Sequence, residues 1–326
     1  MKIRLRSLAD QTGSVALITG VAIFMLLGFI ALALDLGHMV MVKSQLQKAA
    51  DAGALAGARG LWPLVLPATD PAATRNPNCA SGESAAKITA HNNVVDGRNL
   101  SYDSEITVEV GRWDYDARTF HPGCTAESDA VRVNTRRDGV VMLFAKVFGI
   151  STANLSGRAI AVMGPAAAVG AGTLPIAVDK NYTDPWTPIV VRMTPDNTDN
   201  AGWFVKYPDA ASAATLKNYI NKDACPYLEI GQIINLQNGA DASVMSAIQD
   251  KLAQGPIDCL LPVVNTCKFG QDEPIVDFAS VRITKVVSTG GYKRVEGIVI
   301  PLAENSSALP GGKGNKGALA PPKLVS

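Results

Sequence analysis

The sequence predicts an α+β protein: an N-terminal transmembrane helix that continues into an Ala/Gly-rich helix, then two exported strand-rich α+β domains. Three observations predict it. Val15–Leu34 is 20 residues without a charge, which at ~1.5 Å per residue matches the ~30 Å hydrocarbon core of a bilayer. Small and apolar residues then recur at steps of three and four as far as Gly60. Beyond Trp62, short alternating runs are punctuated by Pro, Gly, Asn and Asp, the pattern of strands and turns.

Residues 1–13 read as a cytoplasmic basic tip, where Lys2, Arg4 and Arg6 face only Asp10. The positive flank of an apolar span stays cytoplasmic, so the remainder of the chain is expected to be exported. Residues 14–34 form the anchor. The competing expectation is a signal peptide cleaved near Ala33, since Ala31–Ala33 offers a small-x-small site. The run is longer than the ~7–15-residue apolar region of such a peptide, which favours retention.

Residues 35–62 read as an Ala-rich amphipathic helix continuous with the anchor, because no proline intervenes before Pro63. Its expected packing face is Met39, Val42, Leu46, Ala49, Gly53, Ala56 and Gly60, with Lys43, Gln47, Lys48, Asp51 and Arg59 off the stripe. Small residues let another backbone approach closely. That backbone is either a partner or a second copy, or else the chain's own first domain.

The first exported domain spans residues 63–164. Glu83–Asn93 reads as a helix and "EITVEVGRWDYDARTFHPG" as a hairpin turning at "DYDAR". "AVRVNTRR" is a strand, "VVMLFAKVFG" a short apolar helix stopped by Gly149, and "NLSGRAIAVM" a closing strand. Residues 165–174 read as a linker. The surrounding Ala159–Val178 is also 20 residues without a charge, but it is mostly Ala and Gly and is interrupted by Pro165 and Pro175. It is therefore not read as a second span. The second domain, residues 175–303, has strands at "PIAV", "TPIVVRM", "GWFVKY", "CLLPVV", "FASVRITKVVS" and "RVEGIVIPL". "YLEIGQIINLQNG" is extended. Its helices are "SAATLKNYINK", capped by Ser212, and "ASVMSAIQDKLAQG". Residues 304–326, rich in Gly, Pro, Ser and Lys, read as a disordered tail.

Charge excludes one class of function. Among 326 residues, 30 Lys and Arg oppose 29 Asp and Glu, so nucleic acid has no electrostatic handle. All five cysteines, Cys79, Cys124, Cys225, Cys259 and Cys267, follow the anchor, where export permits disulfides. Cys79 with Cys124 would staple the first domain, and Cys225 with Cys259 or Cys267 the second. Connectivity is not readable from spacing, and one thiol is left over. No CxxC pair, GxSxG or zinc-ligand spacing is present, so no catalytic, cofactor or metal residues are assigned. Asp114 and Asp116 read as turn residues, not a metal pair. "GKGNKG" at 312–317 has no strand before it and no helix after it, so it reads as a spacer.

The order of basic tip, "TGSVALITGVAIFMLLGFIALALDLGHM" and "KSQLQKAADAGALAGA" resembles the N-terminal segment of the TadE/TadG-like proteins of Flp (tight adherence) pilus assembly. Its most specific parts are the Asp35-Leu36-Gly37 exit and the pattern running from Gln47 to Ala58. "GRWDYDARTFHPG", "AVRVNTRR" and "LFAKVFG" also look like the exported part of TadG-like proteins. One departure stands out. Pilins of this system carry a Glu at the fifth position after the cleaved Gly, and counting from Gly13 that position is Ile18. This argues against prepilin cleavage and packing into a shaft. The resemblance implies a non-enzymatic, bitopic inner-membrane component of a pilus, adhesion or secretion machine. Its implied partners are the lipid bilayer, other pilus machinery proteins or pilin, and a second copy through the N-terminal helix. The alternative is an exported adhesin or binding module released by cleavage near Ala33.

Overall fold

A computed structural model describes residues 8–62, 77–170, 173–183, 187–192, 200–207, 212–221, 223–239, 242–288, 293–300, 303–304, 307–312 and 318–325. The basic residues of the tip, the proline-rich stretch 63–76 and most of "GKGNKG" lie outside them.

The membrane-length run and the small-residue stretch form one α-helix, α1, Leu8–Leu61, of 54 residues. Its character changes along its length. Every large apolar side chain from Val15 to Leu34 is exposed. From Asp35 onward a buried stripe appears at Asp35, Val42, Leu46, Ala49, Ala50, Ala54, Ala58 and Leu61. This is the three-four spacing of a helix laid on a surface.

Contacts cluster into two compact units, each drawn from separate segments of the chain: 1–53, 87–108 and 133–159 in one, and 54–86, 109–132 and 160–326 in the other. The sequence-based expectation of one boundary at 165–174 differs from this. Long elements, α1 among them, contribute residues to both units.

After α1 come the helix α2, Cys79–His91, and a five-stranded sheet. Its order is Lys323–Leu324, Thr152–Val162, Ala130–Val141, Ile106–Asp114 and Thr119–Pro122. The hairpin falls where the sequence places it, with Asp114 paired to Thr119. The expected apolar helix is a single 3-10 turn, Ala145–Phe148, closed by Gly149 at φ 82°, the left-handed conformation that glycine tolerates.

The second unit also holds a seven-stranded sheet. Its order is Ile233–Gln237, Ala201–Lys206, Ile176–Asp179, Ile257–Val264, Asp272–Val287, Arg294–Val299 and Pro188–Arg192. The last strand pairs back on the second, with Ala201 opposite Val191, so six strands close into a ring. Closure removes the unpaired edges an open sheet would present. Trp203, Phe204, Phe269 and Phe278 are among the largest side chains of the buried core. Phe269 lies over Gly202, where a Cβ would come within 2.6 Å of its ring. Helices α3, Ala213–Asn221, and α4, Ala242–Leu252, pack on each other and supply Leu216, Ile220, Val244 and Ile248 to this core. Ser212 Oγ accepts the Thr215 N–H at the start of α3, which is the cap the sequence predicts.

Two segments read as unstructured carry strands. Ala166–Val169, inside the expected linker, pairs antiparallel with Leu228–Glu229 and with Ala308–Pro310. In the expected disordered tail, Ala308–Pro310, Ala318–Leu319 and Lys323–Leu324 are strands, the last pairing with Ala161 and Val162. Composition misleads here because a ladder needs only main-chain N–H and C=O groups, which alanine and leucine supply as well as larger residues.

Candidate functional site at the helix junction

The site with the most specific geometry lies where α1 leaves its exposed apolar stretch. In the first unit, the Asp35 carboxylate accepts three backbone N–H groups from the turn after Ala130–Val141. Its Oδ1 takes Leu143 at 2.8 Å, and Oδ2 takes Phe144 at 2.9 Å and Ala145 at 2.6 Å. Asp35 is 2% exposed. Burial pushes its pKa up, but the Ala145, Leu143 and Phe144 N–H groups, with His38 adding charge attraction, hold it below the ordinary carboxylate value. The carboxylate therefore sits ionised in a cradle of main-chain donors.

The next turns repeat the arrangement with other polar side chains. His38 Nε2 is 3.0 Å from Asp96 Oδ1, and Gln45 Oε1 accepts the Asp96 N–H at 2.9 Å. Gln47 makes a reciprocal pair with the Arg158 backbone, donating Nε2 to its carbonyl and accepting its N–H. Thr135 Oγ1 donates to the Leu46 carbonyl, and a Cβ on Gly157 would lie 2.7 Å from the α1 backbone. Strand and helix thus touch main chain to main chain.

In the second unit, the small residues perform a comparable task against α2. A Cβ on Gly57 would lie 2.8 Å from both Ala86 Cβ and Val131 Cγ1, and one on Gly60 would lie 3.0 Å from Ala85 Cβ. One on Gly82 of α2 would meet Leu61 Cδ2 at 2.6 Å. Glycine on both helices permits the approach. Cys79, the first residue of α2, is disulfide-bonded to Cys124 with a Cα–Cα distance of 6.1 Å.

Of the seven residues on the expected packing face, Val42, Leu46, Ala49 and Gly53 are buried by the chain itself, and Met39, Ala56 and Gly60 are half-buried. Ala50, Ala54, Gly57, Ala58 and Leu61, also buried, were not on that face. A strict three-four count repeats every 3.5 residues and drifts by about 20° per heptad from a helix of 3.6 residues per turn, so it departs from the buried stripe gradually, at Ala56 and Gly60. Asp35, which the sequence marks only as part of the Asp35-Leu36-Gly37 exit, also lies on the buried stripe. Its signal was available: a charged residue in register with Val42 and Leu46 on the buried stripe demands hydrogen-bond partners.

Among the described residues, the expected pairing of Cys225 with Cys259 or Cys267 is not formed. Cys225 and Cys259 carry buried free thiols and Cys267 an exposed one. Burial pushes both buried thiols up to about 12 and leaves them protonated. Asp114, Asp116 and His121 belong to the hydrogen-bonding of the hairpin itself. The Asp114 carboxylate accepts the N–H groups of Asp116 and Ala117 in the hairpin turn, while His121 contacts Thr119. Among the described residues, no group of three or more His, Cys, Asp and Glu could hold a metal ion.

Among the described residues, one helix is long and apolar enough to cross a membrane, and it continues without a break into packed structure. This is the construction of a membrane-anchored protein. Two segments match family profiles. Residues 13–60 match the Flp pilus-assembly TadE/G-like family, and residues 68–161 match the Tad-like Flp pilus-assembly family. The first match spans the exposed apolar stretch and nearly all of the packed stripe. Together they support a role in Flp pilus assembly. No curated protein and no solved structure matches the chain.

Proposed function

We propose that the chain is a single-pass inner-membrane component of a Flp pilus-assembly machine, with residues 1–13 cytoplasmic and the strand-rich units exported. It acts through protein contacts and not through turnover. One observation carries the reading: the segment matched to the TadE/G-like family is one helix, exposed where lipid would surround it and buried where its own chain packs on it. Such a helix joins the membrane segment to the exported chain without a break.

The buried stripe limits where partners bind. Val42, Leu46 and Ala49 are fully covered by this chain, so they are not free for a second protein. Pilin, other machinery proteins or a second copy meet the chain through the apolar stretch 14–34 or through the exported surfaces. The test is in-frame deletion in the native host, with surface pili imaged and other machinery proteins blotted. Loss of pili, restored by the intact chain and not by one lacking residues 14–34, is expected. Unchanged piliation contradicts the proposal.

A further inference from the structure

The turn that covers Asp35 is unusual on its outer side. Between Val140 and Ser151 the only charged residue is Lys146. Leu143, Phe144, Val147, Phe148 and Ile150 are all exposed, Val147 at 85% and Phe148 at 75%. Soluble surfaces scatter such residues singly and do not gather five within eight positions. Main-chain bonds close the turn: the Met142 N–H donates to the Ser151 carbonyl, Gly149 to Lys146 and Ile150 to Ala145. These side chains are thus presented outward by a closed turn.

Position identifies what covers them. Asp35 is the first charged residue after the 20 that match the hydrocarbon thickness, so it marks the level where hydrocarbon ends. Its three hydrogen bonds hold Leu143, Phe144 and Ala145 at that level. We infer that residues 143–150 form a second membrane contact, an apolar turn seated in the bilayer interface beside the exit of α1. Phe and Leu partition favourably at this depth, while an exposed Lys146 extends its ammonium to the phosphate layer. The Asp35 carboxylate tolerates the location because main-chain donors enclose it. The turn fixes the rotation and tilt of the anchor, since two points of attachment define an orientation and one does not. This inference rests on α1 being membrane-embedded.

The test uses the full chain in vesicles of phosphatidylethanolamine and phosphatidylglycerol, with Cys267→Ala to remove the exposed thiol. Single cysteines labelled with nitrobenzoxadiazole are placed at Val147, at Phe29 within the span, and at Ala117 in the hairpin turn. Two quenchers are applied: aqueous dithionite and nitroxides at shallow positions on lipid acyl chains. The Val147→Cys label is expected to be quenched by shallow nitroxides and to be reduced by dithionite several-fold more slowly than the Ala117→Cys label. If it matches the Ala117→Cys label while Phe29→Cys is shielded, the turn lies in water and the inference fails although the anchor stands. A Val147→Cys label shielded from dithionite but untouched by lipid nitroxides indicates a protein cover, which also overturns it. An unshielded Phe29→Cys label contradicts the anchor itself, and the turn contact with it.

Discussion

Asp35 Oδ2 accepts the backbone N–H of Ala145, 110 residues further along the chain, at 2.6 Å. This bond and its two neighbours join the last turn of the apolar stretch to a turn of the sheet. An alanine at position 35 leaves three N–H groups without their acceptor, and unpaired buried donors are costly. Asp35→Ala is expected to abolish amide hydrogen-exchange protection at Leu143–Ala145 while leaving the Ile257–Val264 strand protected. Asp35→Asn, with one acceptor oxygen, is expected to lose part of it.

The small-residue contacts separate two kinds of glycine. A Cβ on Gly57 would overlap Ala86 and Val131, whereas one on Gly37 meets nothing within 4 Å. Gly57→Ala is expected to cost about 1–3 kcal/mol through overpacking. Gly37→Ala is expected to be neutral or to stabilise by up to about 1 kcal/mol through helix propensity. Thermal unfolding of both variants in detergent checks the contrast.

Cysteine reactivity divides three ways. The Cys79–Cys124 bond closes a loop with a sequence separation of 45. In the chain-entropy account its loss through Cys79→Ala costs about 2–4 kcal/mol. In the native protein a maleimide is expected to label Cys267 alone, and Cys225 and Cys259 only after denaturation, as read by intact mass.

Glu105 anchors a second polar cluster in the first unit. Arg98 binds it through both nitrogens at 2.8 Å, Arg137 Nη1 reaches both oxygens, and the Ser101 N–H donates as well. Burial raises the carboxyl pKa, but Arg98, the Ser101 N–H and Arg137 bring it below the ordinary value. A depressed carboxyl contributes stability that is complete above its unfolded pKa and is lost as pH falls through the folded one. The loss therefore sets in as pH falls into the ordinary glutamate range and is complete once pH is below the folded value. Glu105→Gln leaves Arg137 buried without its counter-charge and is expected to cost about 3–5 kcal/mol at neutral pH. Denaturant titrations from neutral to acid pH are expected to show that gap close.

Asp129 has the opposite sign. Burial pushes it up, although the Trp113 N–H and Tyr115 hydroxyl donate to it. A raised carboxyl contributes stability when protonated and loses it as pH rises through the folded value. Asp129→Asn keeps a carbonyl for Trp113 and removes this loss. Its stability is expected to equal or exceed that of the parent at neutral pH by the same titrations.

Much of this was legible in the sequence. An uncharged stretch of membrane length, a three-four stripe and alternating strands are local patterns, and α1, the hairpin and the strands of the second sheet follow from them. What was not legible was non-local. Nothing near Asp35 in sequence names Leu143–Ala145 as its partners. Cys225 with Cys259 or Cys267 reads as a staple by composition, yet all three carry free thiols. Ala166–Val169 looks like a linker because its side chains are small, while its main chain pairs with strands distant in sequence. The stretch "VVMLFAKVFG" reads as a short apolar helix, and the structure makes it a 3-10 turn, Ala145–Phe148. Its exposure emerges only when the fold leaves it uncovered.

The claim on which the rest depends is that α1 remains intact, with its first part in the membrane and its second in the exported fold. Alkaline carbonate extraction of cells, followed by N-terminal sequencing of the chain in each fraction, measures this directly. The chain is expected in the membrane pellet with residues 14–34 still attached. A carbonate-soluble chain whose first residue lies just after Ala33 would contradict it.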